Sequence, residues 1–152
     1  MNKPAAIPES RLSAETVHAS TVAAEGRAVL ITGPSGSGKS DLTLRLLDRG
    51  FTLVSDDQTL VRKVGDKLIA TAPATIAGKL EIRGIGIVEM EAAKDVPVAL
   101  IVDLTSEIQR LPDDNRERPI LGVSLPLITV DAMTASAPSK VALGLDRLGL
   151  KF

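Results

Sequence analysis

The stretch Ala28-Val-Leu-Ile-Thr-Gly-Pro-Ser-Gly-Ser-Gly-Lys-Ser-Asp-Leu42 decides how the rest of the chain is read. Its first five residues form an apolar run of strand length. The next eight, Gly33, Pro34, Ser35, Gly36, Ser37, Gly38, Lys39 and Ser40, match G-x-x-x-x-G-K-S in full. Gly36 and Gly38 let successive backbone N–H groups turn toward one anion. After Ser40 the apolar period changes. Leu42, Leu46 and Leu47 share a helical face, and Gly50 stands where a helix C′ residue is expected. Such a helix points its positive end at the same anion. Lys39 brings a charge to the β- and γ-phosphate oxygens, and the Ser40 hydroxyl can ligate Mg2+. The motif implies a nucleoside triphosphate or phosphate ligand and leaves the phosphoryl acceptor open.

Working outward, Glu15–Val22 is β-branched and reads as a strand carrying His18. Phe51–Ser55 is a further strand, ending in Asp56-Asp57. Gln58–Val64 and Lys67–Thr71 flank Gly65-Asp66 as a hairpin. Pro73–Lys79 is a loop or short helix, and Leu80–Val88 holds two glycines, too many for an ordinary strand interior. Val98–Val102 is a buried strand closed by Asp103. Glu107–Pro119 reads as an exposed loop, and Leu121–Val130 as a strand interrupted by Pro126. Ser139–Leu148 fits a final helix with Val141, Leu145 and Leu148 on one side. Strand, glycine loop, helix and strand open a three-layer α/β nucleotide-binding fold, and the hairpin predicts a mixed β-sheet. Residues 1–11, polar with two prolines, read as a flexible leader; 12–152 read as one phosphate-loop catalytic domain.

Composition narrows the function. The chain has 152 residues, 44% hydrophobic, enough for one domain with a sizeable core. Lys and Arg total 18 against 19 acidic residues, so there is no basic footprint for nucleic acid. With no cysteine and one histidine, disulfide scaffolds, thiolate zinc sites and multi-histidine metal cages are excluded. Without Trp or Tyr, aromatic stacking platforms are excluded too. No apolar run approaches the roughly 20 residues of a membrane-spanning helix, and the N-terminus lacks a secretory h-region. These features predict a cytoplasmic protein without membrane attachment.

The carboxylates supply candidates for the remaining chemistry. Asp56 and Asp57 end a strand at the edge where α/β ligand sites gather. One can hold metal while the other takes a proton from a hydroxyl, or the pair can simply form a turn. Asp103 ends an apolar strand in the pattern of a Walker B metal ligand, or as an ordinary strand-end carboxylate. Glu81 and Arg83 alternate around Ile82, so an extended segment puts both on one side, suited to metal and phosphate or to a surface ion pair. His18 taken alone is more often structural than catalytic.

Together, Val17-His-Ala-Ser20, the loop GPSGSGKS, Leu53-Val-Ser-Asp-Asp57 and Leu80-Glu-Ile-Arg-Gly-Ile-Gly-Ile87 resemble the HPr kinase/phosphorylase family over residues 15 to 148. The last segment is far more specific than the phosphate loop. The resemblance is to the catalytic domain, as in the short form found in alphaproteobacteria. It implies an HPr kinase C-terminal-domain-like fold and ATP- and Mg2+-dependent phosphorylation of a serine in HPr, the phosphocarrier of the sugar phosphotransferase system. It further implies Lys39 on the β/γ phosphates, Ser40 and Glu81 on Mg2+, Asp57 as proton acceptor, and His18 and Arg110 in the active site. Family oligomers imply a homo-oligomer. Many members also run the reverse phosphorolysis. Their V-R-P-G-R-N loop is replaced here by Ser136-Ala-Pro-Ser-Lys140, and lysine lacks arginine's bidentate fork, which weakens the case for that reverse reaction. Two alternatives remain at this level: a small-molecule kinase with an anion clamp from Arg116 and Arg118, and an ATP-binding regulatory module with a sensor partner.

Overall fold

A computed structural model describes residues 13–111 and 116–152; the leader expected at 1–11 lies outside the described residues. In chain order the elements are β1 (Ala14–Val17), β2 (Ser20–Ala24), β3 (Arg27–Thr32), α1 (Lys39–Asp48), β4 (Thr52–Ser55), β5 (Thr59–Val64), β6 (Lys67–Thr71), β7 (Lys79–Ile82), β8 (Gly86–Glu89), β9 (Val96–Leu104), β10 (Glu117–Ile120), β11 (Val123–Val130) and α2 (Ala137–Leu148). A single 3-10 turn, Ala74–Ile76, lies between β6 and β7.

Parallel strands β3 and β9 form the centre because their residues are apolar on both faces. β11 continues the sheet parallel to β9, while β2 and then β4 extend it antiparallel beyond β3. The hairpin β5–β6 joins through β6 at the start of β9, and β1 lies outside β5. The sheet is therefore mixed, as expected. Val29 and Ile31 face a cluster with Leu42 and Leu46 of α1 and Val141 and Leu145 of α2. Ala28 and Leu30 face the other way, toward Val61, Leu68, Ile120 and Leu125. Both helices thus cover one face, and strands β5, β6, β10 and β11 close the other. Each fully buried Leu, Ile or Val in these layers contributes about 1.5–3 kcal/mol. Among the described residues, no helix is long and apolar enough to cross a membrane.

Several sequence expectations are corrected. The strand expected at Glu15–Val22 breaks at His18, where the Ala19 N–H turns back to the Val17 carbonyl. The two halves then join different neighbours: β1 pairs with β5, and β2 with β3 and β4. β11 runs through Pro126 unbroken. Its pairing with β9 starts only at Leu127, so the missing proline N–H is lost from no ladder bond there. The expected loop Glu107–Pro119 ends in strand β10, which pairs with the first half of β11. Ser136 stands at the N-cap position of α2, its carbonyl accepting the Lys140 N–H, and Ala137–Lys140 form the first turn with Pro138 at a position where proline is tolerated. Leu148 is exposed, because Leu150 folds back onto both clusters in its place and donates its N–H to Ala99.

Candidate active site

The phosphate loop joins β3 to α1 as the motif requires. Gly38 adopts φ +99° at the helix N-cap, and its carbonyl accepts the first helical bond from Leu42. A side chain there would meet the Ala132 Cβ at 2.9 Å, so glycine is needed for both conformation and space. Lys39 is only 7% exposed. Its ammonium donates to the carbonyls of Gly33 (2.7 Å) and Pro34 (3.0 Å), which holds the charge inside the curl of the loop.

Asp56 and Asp57 are adjacent but separate completely in environment. Asp56 is buried, and its carboxylate accepts three hydrogen bonds. Ser40 Oγ (2.7 Å) and Ser20 Oγ (3.0 Å) donate to Oδ1, and the Glu81 N–H (3.2 Å) donates to Oδ2. Asp57 stands at φ +66° in a three-residue turn closed by the Gln58 N–H on the Asp56 carbonyl. That turn throws its side chain outward, where Oδ1 lies 2.9 Å from His18 Nε2. The Ser20 hydroxyl also accepts the Asp57 N–H at 3.0 Å. Sequence reasoning assigned Ser20 no role. Its place in the segment Val17-His-Ala-Ser20, beside His18, was the available signal.

Glu81 and Arg83 reach the site by a route other than the one extended segment expected. Glu81 is in β7, whereas Arg83 is in the β7–β8 turn, closed by the Ile85 N–H on the Ile82 carbonyl. The two glycines serve this turn: Gly84 and Gly86 both take positive φ. Glu81 and Arg83 still line one cleft of about 660 Å³ with Ser35, Lys39, Ser40 and Asp57. Leu44, Ile82 and Met133 add apolar wall. The outer part of the hairpin carries Ile85 and Ile87, both largely solvent-exposed. A second concavity, about 710 Å³, opens at the opposite edge of the sheet between Lys63, Lys67, Lys151 and Phe152 and holds none of the expected site residues.

Asp103 is not among the residues that line the cleft. Thr32 Oγ1 donates to its Oδ1 (2.8 Å), and Arg118 Nη2 lies 3.6 Å from its Oδ2. Its carboxylate thus faces Thr32 and Arg118. Arg118, suggested as an anion clamp, is engaged by the same contact. Arg110 is exposed in the segment after β9 and is not among the residues that line the cleft.

The donor set fits Mg2+. Ser40 and Asp56 bring two hard oxygens to one point, and Glu81 lines the same cleft. Among the described residues no cluster of three or more His, Cys, Asp or Glu forms a closed cage. Mg2+ does not need one, since it uses one or two carboxylates together with water and substrate phosphate.

A phosphate loop facing an exposed carboxylate at the end of a strand two places away in the sheet defines the class of phosphate-loop α/β domains to which phosphotransferases belong. The chain belongs to the HPr Serine kinase C-terminal domain family, whose model matches residues 10–142. It is 39% identical over 136 residues to the HPr kinase/phosphorylase of Geobacillus thermodenitrificans, covering 80% of this chain and 44% of that protein. It is 37% identical over 124 residues to the HPr kinase/phosphorylase of Chlorobium phaeobacteroides, covering 73% of this chain and 37% of that one. The chain thus spans about two fifths of the length of these curated relatives. The solved structure of the Hpr(Ser) kinase/phosphatase from Coxiella burnetii superposes with a TM-score of 0.75 at 29% identity, covering 87% of this chain and 94% of that one.

Proposed function

We propose that this chain is an ATP- and Mg2+-dependent serine kinase that phosphorylates the phosphocarrier HPr and so regulates the sugar phosphotransferase system. The observation that carries the reading is Asp57, solvent-accessible beside His18 and lining the same cleft as Lys39. Family membership supplies the acceptor.

Lys39 and the N-terminus of α1 hold the triphosphate and offset the charge that develops on the transferring group. Asp57 accepts the proton of the acceptor serine as its oxygen bonds to the γ-phosphorus and the bond to the β-phosphate oxygen breaks. His18 donates to the Asp57 carboxylate and orients it. Ser40, Asp56 and Glu81 are the residues that would hold Mg2+, which when bound supplies charge neutralisation to the phosphates. Arg110, the family's active-site arginine by resemblance, would approach with the acceptor. The exposed Ile85 and Ile87 beside the cleft favour a macromolecular acceptor over a small molecule. The first turn of α2, Ala137–Lys140, contains no arginine, which supports a kinase with weak reverse phosphorolysis. The reading places the protein in the cytoplasm as a homo-oligomer.

The test is intact mass of purified HPr after incubation with the protein and Mg-ATP. A gain of one phosphoryl group, absent with Asp57→Asn, is expected. An unchanged HPr mass, with ATP binding confirmed separately, would sink the assignment.

A further inference from the structure

The phosphate loop rises from β3, the middle strand of the run β11-β9-β3-β2-β4. Asp56 and Asp57 follow β4, two strands to one side. The turn that starts at Asp131 follows β11, two strands to the other. Neighbouring strands are about 4.8 Å apart, so the two sites lie roughly 19 Å apart across the loop. A nucleoside triphosphate with its terminal phosphate at Asp57 therefore directs its nucleoside toward the β11 flank.

Met133 stands on that flank, lines the same cleft as Lys39 and Ser40, and is 77% exposed. Its support is firm. Its N–H donates to Asp131 Oδ1 at 2.9 Å, and the preceding Ala132 is buried. Arg45 of α1 reaches under the turn to donate to the carbonyls of Ala132 and Thr134 while pairing with Asp41 at 3.1 Å. The methyl end of Met133 comes within 3.8 Å of the space above Gly38, and Leu44 adds apolar wall one turn into α1. A rigid turn thus holds a flexible, polarisable thioether out over the cleft.

We infer that Met133, backed by Leu44, is the platform on which the nucleotide base lies. The inference rests on the ATP-dependent reading above. A base presents a flat aromatic face, and a thioether makes favourable contact with one. The only aromatic side chains, Phe51 and Phe152, are not part of this cleft, so an aliphatic platform is what the chain has to offer.

The test compares calorimetric binding of Mg-ATP with that of tripolyphosphate, which has the phosphates and lacks the base, to the full chain. Met133→Ala should weaken ATP about fivefold to tenfold, the loss expected for part of a methionine's burial, and leave tripolyphosphate unchanged. Leu44→Ala should act in the same direction with a smaller effect. Equal binding of ATP to wild type and to both variants would overturn the inference while leaving the kinase reading intact. Equal weakening of both ligands would also overturn it, because Met133 would then act through Gly38 on the phosphate loop. If wild type bound no ATP, or if Lys39→Ala left binding unaltered, the proposed function would fail and take the inference with it.

Discussion

The Ser40 hydroxyl donates to Asp56 Oδ1 at 2.7 Å, so the phosphate loop is tied directly to the end of β4. Ser20 of β2 and the Glu81 N–H of β7 bond to the same carboxylate. One buried group therefore sets the relative position of four segments that are far apart in sequence. Its neighbour Asp57 is left free to face solvent.

The two aspartates should respond unequally to substitution. Asp56→Ala strips acceptors from buried Ser20 and from Ser40 and should cost about 2–4 kcal/mol of stability. Asp57→Asn should cost less than about 1 kcal/mol, because the side chain is exposed and asparagine tolerates positive φ. Urea unfolding of both variants checks this; equal losses would contradict the separation of roles.

Activity should divide along the same line. Asp57→Asn should abolish phosphoryl transfer to HPr while ATP binding stays within about twofold of wild type, a difference of roughly 0.4 kcal/mol. Calorimetry alongside the mass assay reads both quantities on one preparation.

Metal dependence should follow the cleft and not the strand-end pattern. Ser40→Ala should move the Mg2+ concentration for half-maximal activity upward. Asp103→Asn should leave it unchanged, because that carboxylate faces Thr32 and Arg118 and does not line the cleft. A Mg2+ titration in which Asp103→Asn shifted more than Ser40→Ala would reverse the assignment.

Gly38→Ala should weaken both the fold and the site. Its backbone at φ +99° is strained for any L side chain, and the new methyl would lie 2.9 Å from the Ala132 Cβ. A loss of about 1–3 kcal/mol is expected, with ATP binding lost as the loop shifts. Thermal unfolding and calorimetry together measure this.

The hairpin offers a separate handle on the acceptor. Ile87→Ser removes an exposed apolar side chain, so stability and ATP binding should hold. The KM for HPr should rise several-fold, read from initial rates at saturating ATP. An unchanged KM would move the acceptor surface off the β7–β8 hairpin.

Much of the fold was legible locally. A run such as Ala28–Thr32 followed by the glycine loop and a leucine-periodic helix carries its conformation in the order of its residues. So does the hairpin around Gly65-Asp66, and both appear where expected. His18 and Asp57 were both singled out, but that they meet at 2.9 Å is a property of the sheet, which brings together residues 39 positions apart. The break at His18 was hidden for the same reason. Thr16, Val17, Thr21 and Val22 favour strand on both sides of His18-Ala-Ser20, and pairing with two different neighbours separates the halves.

By itself the sequence determined the phosphate loop, the alternation of buried strands and the family signature around Glu81, because each depends on residues close together in the chain. Tertiary structure decided which carboxylate serves the loop. Asp56, Asp57 and Asp103 all end apolar strands and look alike in one dimension. They differ only in what the folded sheet sets against them: two hydroxyls and an N–H for Asp56, a histidine and solvent for Asp57, a threonine and an arginine for Asp103. Hydrogen bonding and burial decide a carboxylate's chemistry, and both are set by long-range contacts that no local pattern encodes.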